Sequence, residues 1–196
     1  MKALIIVDVQ NDFLPGGSLA VPAGDEIIEL INKIQSKYEI VVATQDWHPA
    51  NHKSFASMHP NHEVFNVIDC NGYPQTLWPN HCVQGTSGAD FSPALDTNAV
   101  QTIFRKGMDK NVDSYSGFFD NLKSRNTGLD GFMKSKGVNE VHICGLAADF
   151  CVYFTAIDAL DLGYKAAIIS KGTKAIDKDS YMKKKEFFLQ KGGLFI

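Results

Sequence analysis

Residues 141–163, VHICGLAADFCVYFTAIDALDLG, decide the fold. The apolar run at 141–144 predicts a short buried strand, and Gly145 predicts the turn that ends it. Val152, Ala156, Ala159 and Leu160 then recur at helical spacing until Gly163 stops the pattern. Cys151 falls in the first turn of this helix, where free backbone N–H groups and the positive end of the helix dipole favour a thiolate. The segment alone fits two readings equally, a nucleophile and an ordinary buried cysteine, because cysteine is also a common core residue.

The same alternation recurs along the chain. Residues 2–7 (KALIIV), 39–44 (EIVVAT), 100–104 (VQTIF) and 165–170 (KAAIIS) are short apolar runs expected of strands buried on both faces of a parallel sheet. Helices are predicted over 25–38, with Ile27, Ile28, Leu30, Ile31 and Ile34 facing inward, over 127–136, and over 178–190 with a solvated basic face. Residues 193–196 read as a final edge strand. Two stretches are loop-like: 8–26, rich in Gly and Pro, and 47–98, with a short strand near 64–68. A loop of the second kind inside a compact domain is usually functional. The expected class is α/β: a three-layer α/β/α sandwich with a mostly parallel central sheet, formed by one domain over 1–196.

Composition narrows the function classes. The chain has 196 residues, 44% hydrophobic and 21% charged, as in an ordinary globular protein. Its net charge of −3 argues against nucleic acid or an anionic membrane as partner. No apolar run reaches the length of a membrane span, and the N-terminal run is too short for a signal peptide, so a cytoplasmic location is expected. Cys70, Cys82, Cys144 and Cys151 form no CxxC or zinc-finger spacing, and free thiols are expected. Homo-oligomerisation is left open.

In an open parallel sheet, ligands bind outside the carboxyl ends of the strands. Four strands hand over there to Asp8, Asp46, Lys106 and, one turn later, Cys151. Each alone could be the first solvated residue past a strand; four at one edge are harder to ascribe to chance. A second cluster reads as metal-binding. Pro49 biases His48 toward extended backbone, so Asp46 and His48 project to the same side. His52, His59, His62 and His81 follow, so five of the six histidines lie between 48 and 81. One Asp with two His leaves coordination positions open, as a catalytic site requires. GxGxxG, Walker and GxSxG patterns are missing, and Ser116 reads as a turn residue.

With these pieces placed, the chain resembles the nicotinamidase branch of the isochorismatase-like cysteine hydrolases. The likeness runs end to end, through LIIVDVQNDFLPGGSLAVPAG (4–24), TQDWHPANHKSF (44–55), LWPNHCVQGTSGADF (77–91), FRKGMDKNVDSYSGF (104–118) and CGLAADFCVYFTAIDAL (144–160). It implies the isochorismatase-like hydrolase fold and hydrolysis of nicotinamide to nicotinic acid and ammonia, in pyridine nucleotide salvage, with pyrazinamide also accepted. The catalytic triad would be Asp8, Lys106 and Cys151, acting through a thioester, with the N–H groups of Ala147 and Cys151 as oxyanion donors. Asp46, His48 and His81 would hold one divalent metal ion, zinc in the first place, with manganese or iron as alternatives. His52 matches a histidine that ligates the metal in some relatives only. Phe13, Trp78, Tyr115 and Leu146 would contact the substrate, and the Leu146–Ala147 peptide would be cis. Phe150 stands where some relatives have histidine, so it would tune the pocket without being required. The alternatives are another small-amide hydrolase of the same superfamily, or a non-catalytic metal- or ligand-binding relative.

Overall fold

The structure is a computed structural model that describes residues 1–70 and 72–196. Its frame is a six-stranded sheet built from β1 (Lys2–Val7), β2 (Ile40–Asp46), β5 (Thr102–Lys106), β6 (Glu140–Leu146), β7 (Lys165–Lys174) and β8 (Leu194–Phe195). The strand order is β5-β2-β1-β6-β7-β8, and every neighbouring pair is parallel. A separate antiparallel pair, β3 (Val67–Asp69) and β4 (Pro74–Thr76), lies in the long loop.

Side chains on a strand alternate between faces, and β1 divides its residues accordingly. Leu4 and Ile6 enter one core, with Ile28, Ile31 and Ile34 of α1 (Ile28–Gln35). Ala3, Ile5 and Val7 enter the other, with residues of α2 (Leu129–Ser135), α3 (Cys151–Asp161) and α4 (Lys178–Gln190). The sheet is therefore sandwiched between helices, and β1 is apolar on both sides because neither side meets water. Each buried Leu or Ile contributes roughly 1.5–3 kcal/mol. No helix among the described residues is long and apolar enough to cross a membrane.

Several expected boundaries shift. The helix predicted at 25–38 is shorter, Ile28–Gln35, and a 3-10 turn at Gly24–Ile27 precedes it. The strand at 39–44 runs on to Asp46 because β5 pairs with it as far as Lys106. The 141–144 strand also continues through Gly145 to Leu146 instead of turning there. Gly145 has φ +112°, and a Cβ on it would lie 2.0 Å from the Val7 carbonyl oxygen. The strand passes this point because nothing but hydrogen fits.

The chain begins in the middle of the sheet, builds outward through β2 and β5, and then returns to the other side of β1 with β6. The order reverses between β1 and β6. That is where an open α/β sheet leaves a crevice beyond its strand ends.

Candidate active site and metal centre

Lys106 is the last residue of β5 and sits directly opposite Asp46, the last of β2. Its side chain is almost wholly shielded from solvent. An ammonium has three protons to donate, and here each has an aligned acceptor. These are Asp46 Oδ1 at 2.8 Å, the Ser114 carbonyl at 2.9 Å and Cys151 Sγ at 3.3 Å. Asp8 Oδ2 lies 2.9 Å from the same nitrogen as an ion pair, yet takes no aligned hydrogen bond. Asp8 Oδ1 accepts the Thr44 hydroxyl at 2.6 Å. Asp8 leaves β1 with φ +49°, a left-handed conformation uncommon for aspartate. Asp8, Lys106 and Cys151, predicted from separate strand ends, thus meet around one cation.

Burial and charge set the protonation of this group. Burial works against the Lys106 cation, but Asp46 and Asp8 outweigh it and push its pKa well above the ordinary lysine value. Burial likewise opposes the Asp46 carboxylate, and Lys106 and His48 hold it well below the usual range. Asp8 shifts the other way. Its complete burial, aided by repulsion from Asp46, raises it in spite of Lys106. Burial also drives the Cys151 thiol well up, with Lys106 opposing and Asp8 and Asp46 adding to the rise. Cys151 does begin α3, where the helix dipole favours a thiolate, and burial works against that charge. A raised carboxylate beside a raised thiol is a pair suited to exchanging one proton.

On the far side of Asp46 lies the histidine cluster. The His48 Nδ1–H donates to the Gly107 carbonyl at 2.9 Å, and the His81 Nδ1–H donates to the Pro79 carbonyl at 2.8 Å. Each ring thereby turns Nε2 toward Asp46 Oδ2, at 3.4 Å and 3.7 Å. Ligand atoms of Asp46, His48 and His81 lie within 4.8 Å of one another, all buried, and His48 Nε2 has no hydrogen-bond partner. Burial favours a neutral His48, but Asp46 outweighs it and raises its pKa. A cluster that draws in a proton in this way also suits a divalent cation, with the carbonyls fixing ring orientation from behind.

His52 is turned differently. Its Nδ1 accepts the Ser54 backbone N–H at 3.1 Å, so the proton of the neutral ring sits on Nε2. Burial, with repulsion from His48, lowers its pKa to about 4 and keeps it neutral. Its ring packs 4.4 Å from that of His48, and it belongs to a second group with His48 and Asp113. His59 and His62 lie elsewhere, packed against each other in the exposed loop.

Above Cys151, Asp46 and His81 opens a narrow pocket walled by Phe13, Trp78, Tyr115 and Phe150, with Asp113, Ala147, Leu19 and Ile176 completing it. The Trp78 indole N–H donates to the Tyr115 hydroxyl at 3.3 Å, and the Trp78 and Phe150 rings meet edge-on at 4.8 Å. Leu146 is not part of this wall; it is fully buried in the core beside Gly24. The Leu146–Ala147 peptide is cis. The N–H groups of Ala147 and Cys151 donate to no backbone carbonyl among the described residues.

Sequence reading passed over several groups that hold this arrangement. The Gln10 side chain clamps the Asp46 backbone, donating to its carbonyl and accepting its N–H, both at 2.8 Å. Asp12 accepts the Cys82 N–H at 2.7 Å and so fixes the segment carrying His81. Gly107 must be glycine, since a Cβ there would lie 2.4 Å from His48 Cε1. Gly107 and Pro79 act through carbonyls, which leave no mark in residue type.

The sheet, its switch-point crevice and a buried Cys–Lys–Asp group define a thiol-floored site in a parallel α/β sandwich. Residues 2–193 match the Isochorismatase domain, and the chain belongs to that family. It is 50% identical over 175 residues to the nicotinamidase of Acinetobacter baylyi, covering 89% of this chain and 82% of that one. The yeast nicotinamidase bound to the inhibitor nicotinaldehyde superposes with a TM-score of 0.94 at 32% identity, over 100% of this chain and 99% of that one. The pyrazinamidase of Pyrococcus horikoshii in complex with zinc gives a TM-score of 0.80 at 38% identity, over 100% and 98%. Placed in this company, the chain is an amidohydrolase.

Proposed function

We propose that this enzyme hydrolyses nicotinamide to nicotinate and ammonia through a thioester on Cys151. The observation that carries the proposal is the single buried Lys106 cation joining Cys151 Sγ, Asp8 and Asp46 beneath an aromatic pocket. The pocket suits a flat heteroaromatic ring: Phe13 and Trp78 supply faces and edges, and Asp46 and His81 lie on its polar side.

An amide resists water, so the reaction needs a strong nucleophile and a proton for the leaving nitrogen. Asp8 takes the thiol proton as Cys151 Sγ forms a bond to the carboxamide carbon, and Lys106 steadies the sulfur. The carbonyl oxygen gains the negative charge and meets the Ala147 and Cys151 N–H groups. Asp8 then passes its proton to the nitrogen, the C–N bond breaks and ammonia leaves. Water attacks the thioester, Asp8 receives its proton, the C–S bond breaks, and the proton returns to sulfur. One residue serves as base and acid alternately, a task for which a raised carboxyl is suited.

Asp46, His48 and His81 would hold one divalent ion, and the O,N,N donor set accepts zinc, manganese or iron. When bound, such an ion would supply Lewis acidity to the polar side of the pocket. His52 stands aside from this ligand set, since its Nε2 bears hydrogen. Pyrazinamide, with a second ring nitrogen in the same outline, is expected to be a substrate too.

The test is ammonia release across a panel of small amides with metal analysis of the same sample. Nicotinamide should be the preferred substrate, and quenched mass spectrometry should find a nicotinoyl adduct on Cys151. Cys151→Ala should abolish turnover while leaving metal content and melting temperature unchanged. Turnover by that variant, or an adduct on Cys70, Cys82 or Cys144, would overturn the assignment.

A further inference from the structure

Lys184 breaks the pattern of its helix. The basic face of α4 reads as solvated, and Lys178 and Lys183 are indeed exposed; Lys185 is half-buried over the Phe195 ring, and Lys184, also half-buried, turns back toward the active site. Its ammonium donates to the Asp149 carbonyl at 2.5 Å and stands over the Phe150 ring, 4.2 Å from the centroid, with Phe154 at 5.2 Å and Tyr153 at 5.6 Å. Among the described residues it has no carboxylate within ion-pair distance. A lysine that merely covered apolar surface would send its charge into water. This one holds its charge against a carbonyl and a ring face, both of which demand direction.

The two groups it touches immediately precede Cys151. Phe150 is the residue before α3 and has an irregular backbone (φ −126°, ψ −99°). Its ring meets Trp78 and Tyr115 edge-on in the pocket wall. Asp149 is fully buried, and its two carboxylate oxygens accept the Ile176 and Asp177 N–H groups, both at 2.9 Å. Asp177 in turn caps α4 by accepting the Ser180 N–H. The start of α4 is thus fastened to the turn before the nucleophile from two sides, through the Asp149 side chain and through Lys184.

We propose that Lys184 is a positioning residue for the reaction: by pinning the Asp149 carbonyl and the Phe150 ring, it sets the pocket wall and the peptide planes that aim the Cys151 N–H. Its charge also adds positive potential at the start of α3, where sulfur and then oxygen become anionic. Burial lowers the Lys184 pKa, while Asp149, Cys151 and Asp177 oppose the fall, so the cation and the thiol favour each other's charged forms. The groups facing Lys184 are Asp149, Asp177, Tyr153 and Cys151; those facing Cys151 are Asp8, Asp46, Lys106 and Tyr115. This role rests on the thiol mechanism above, and the experiment separates the two.

Wild type, Lys184→Met and Lys184→Arg are compared in two measurements. One is kcat and KM for ammonia release from nicotinamide. The other, needing no substrate, is the pH profile of Cys151 alkylation by iodoacetamide, read on the Cys151 peptide by mass spectrometry. Methionine keeps length and stem but loses the cation, so kcat should fall about tenfold with KM changed far less. The alkylation profile should move to higher pH, and arginine should restore most of both. Kinetics and alkylation like wild type in Lys184→Met, even with a lower melting temperature, would overturn the proposal, as would equal damage from Met and Arg. If wild type released no ammonia from nicotinamide, the functional reading would fail, while the alkylation profiles would still decide the role of Lys184.

Discussion

Asp8 carries the clearest prediction at the scale of single residues. In the proposed mechanism it acts first as a base, so activity should be lost as pH falls through its pKa, which burial and Asp46 raise. The acid limb of kcat/KM should therefore lie above the ordinary aspartate range, and it should disappear with the activity in Asp8→Asn. An acid limb at an unperturbed carboxylate value would show that another group controls it. Gly107 offers a second test. Gly107→Ala would drive a methyl into His48 and strain a backbone at φ +66°, so bound metal should fall well below one equivalent while far-UV circular dichroism is kept. Asp8, Asp46 and Lys106 were legible in the sequence because each falls within two residues of the end of a predicted strand. Gln10 and Gly107 were not, because a clamp on backbone groups and a missing Cβ look like ordinary loop composition.

Elements show where pattern reading falls short. Gly145 reads as a turn because glycine usually punctuates, yet here it lets β6 pass β1 at a distance no side chain permits. Gly145→Ala should destabilise the protein by about 3 kcal/mol or more, or prevent soluble expression, since the clash is with backbone. Urea denaturation measures this, and a loss below about 1 kcal/mol would contradict the packing argument. Helix α4 was legible to the residue, since its amphipathic spacing is a local signal. The long loop was not. Single bridges between His48 and Val83, and between Phe55 and Trp78, bring its two histidine segments side by side. Pairings one residue long leave no periodicity to read.

For the whole molecule, alternation of strand and helix was enough to anticipate a parallel sandwich, and the sheet proves parallel at every pair. Strand order was not legible, because it depends on which side of β1 the second half of the chain docks. That choice brings Cys151, after β6, up to Asp8 and to the Lys106–Asp46 pair from the first half. One consequence lies in Lys106 itself. The same ammonium serves Asp46, a proposed metal ligand, and the sulfur, so two sites that read as separate clusters share a single counter-charge. An ion bound at Asp46 draws on that carboxylate and leaves more of the lysine's charge to sulfur. Adding zinc to chelator-stripped protein should therefore shift Cys151 alkylation to lower pH. By thermodynamic reciprocity, the affinity for zinc must rise by the same factor as the thiol ionises. An alkylation profile indifferent to zinc would mean the two ends of Lys106 do not communicate. If they do, the thiol proposed as nucleophile is armed by an ion held on the far side of the carboxylate that shares its lysine.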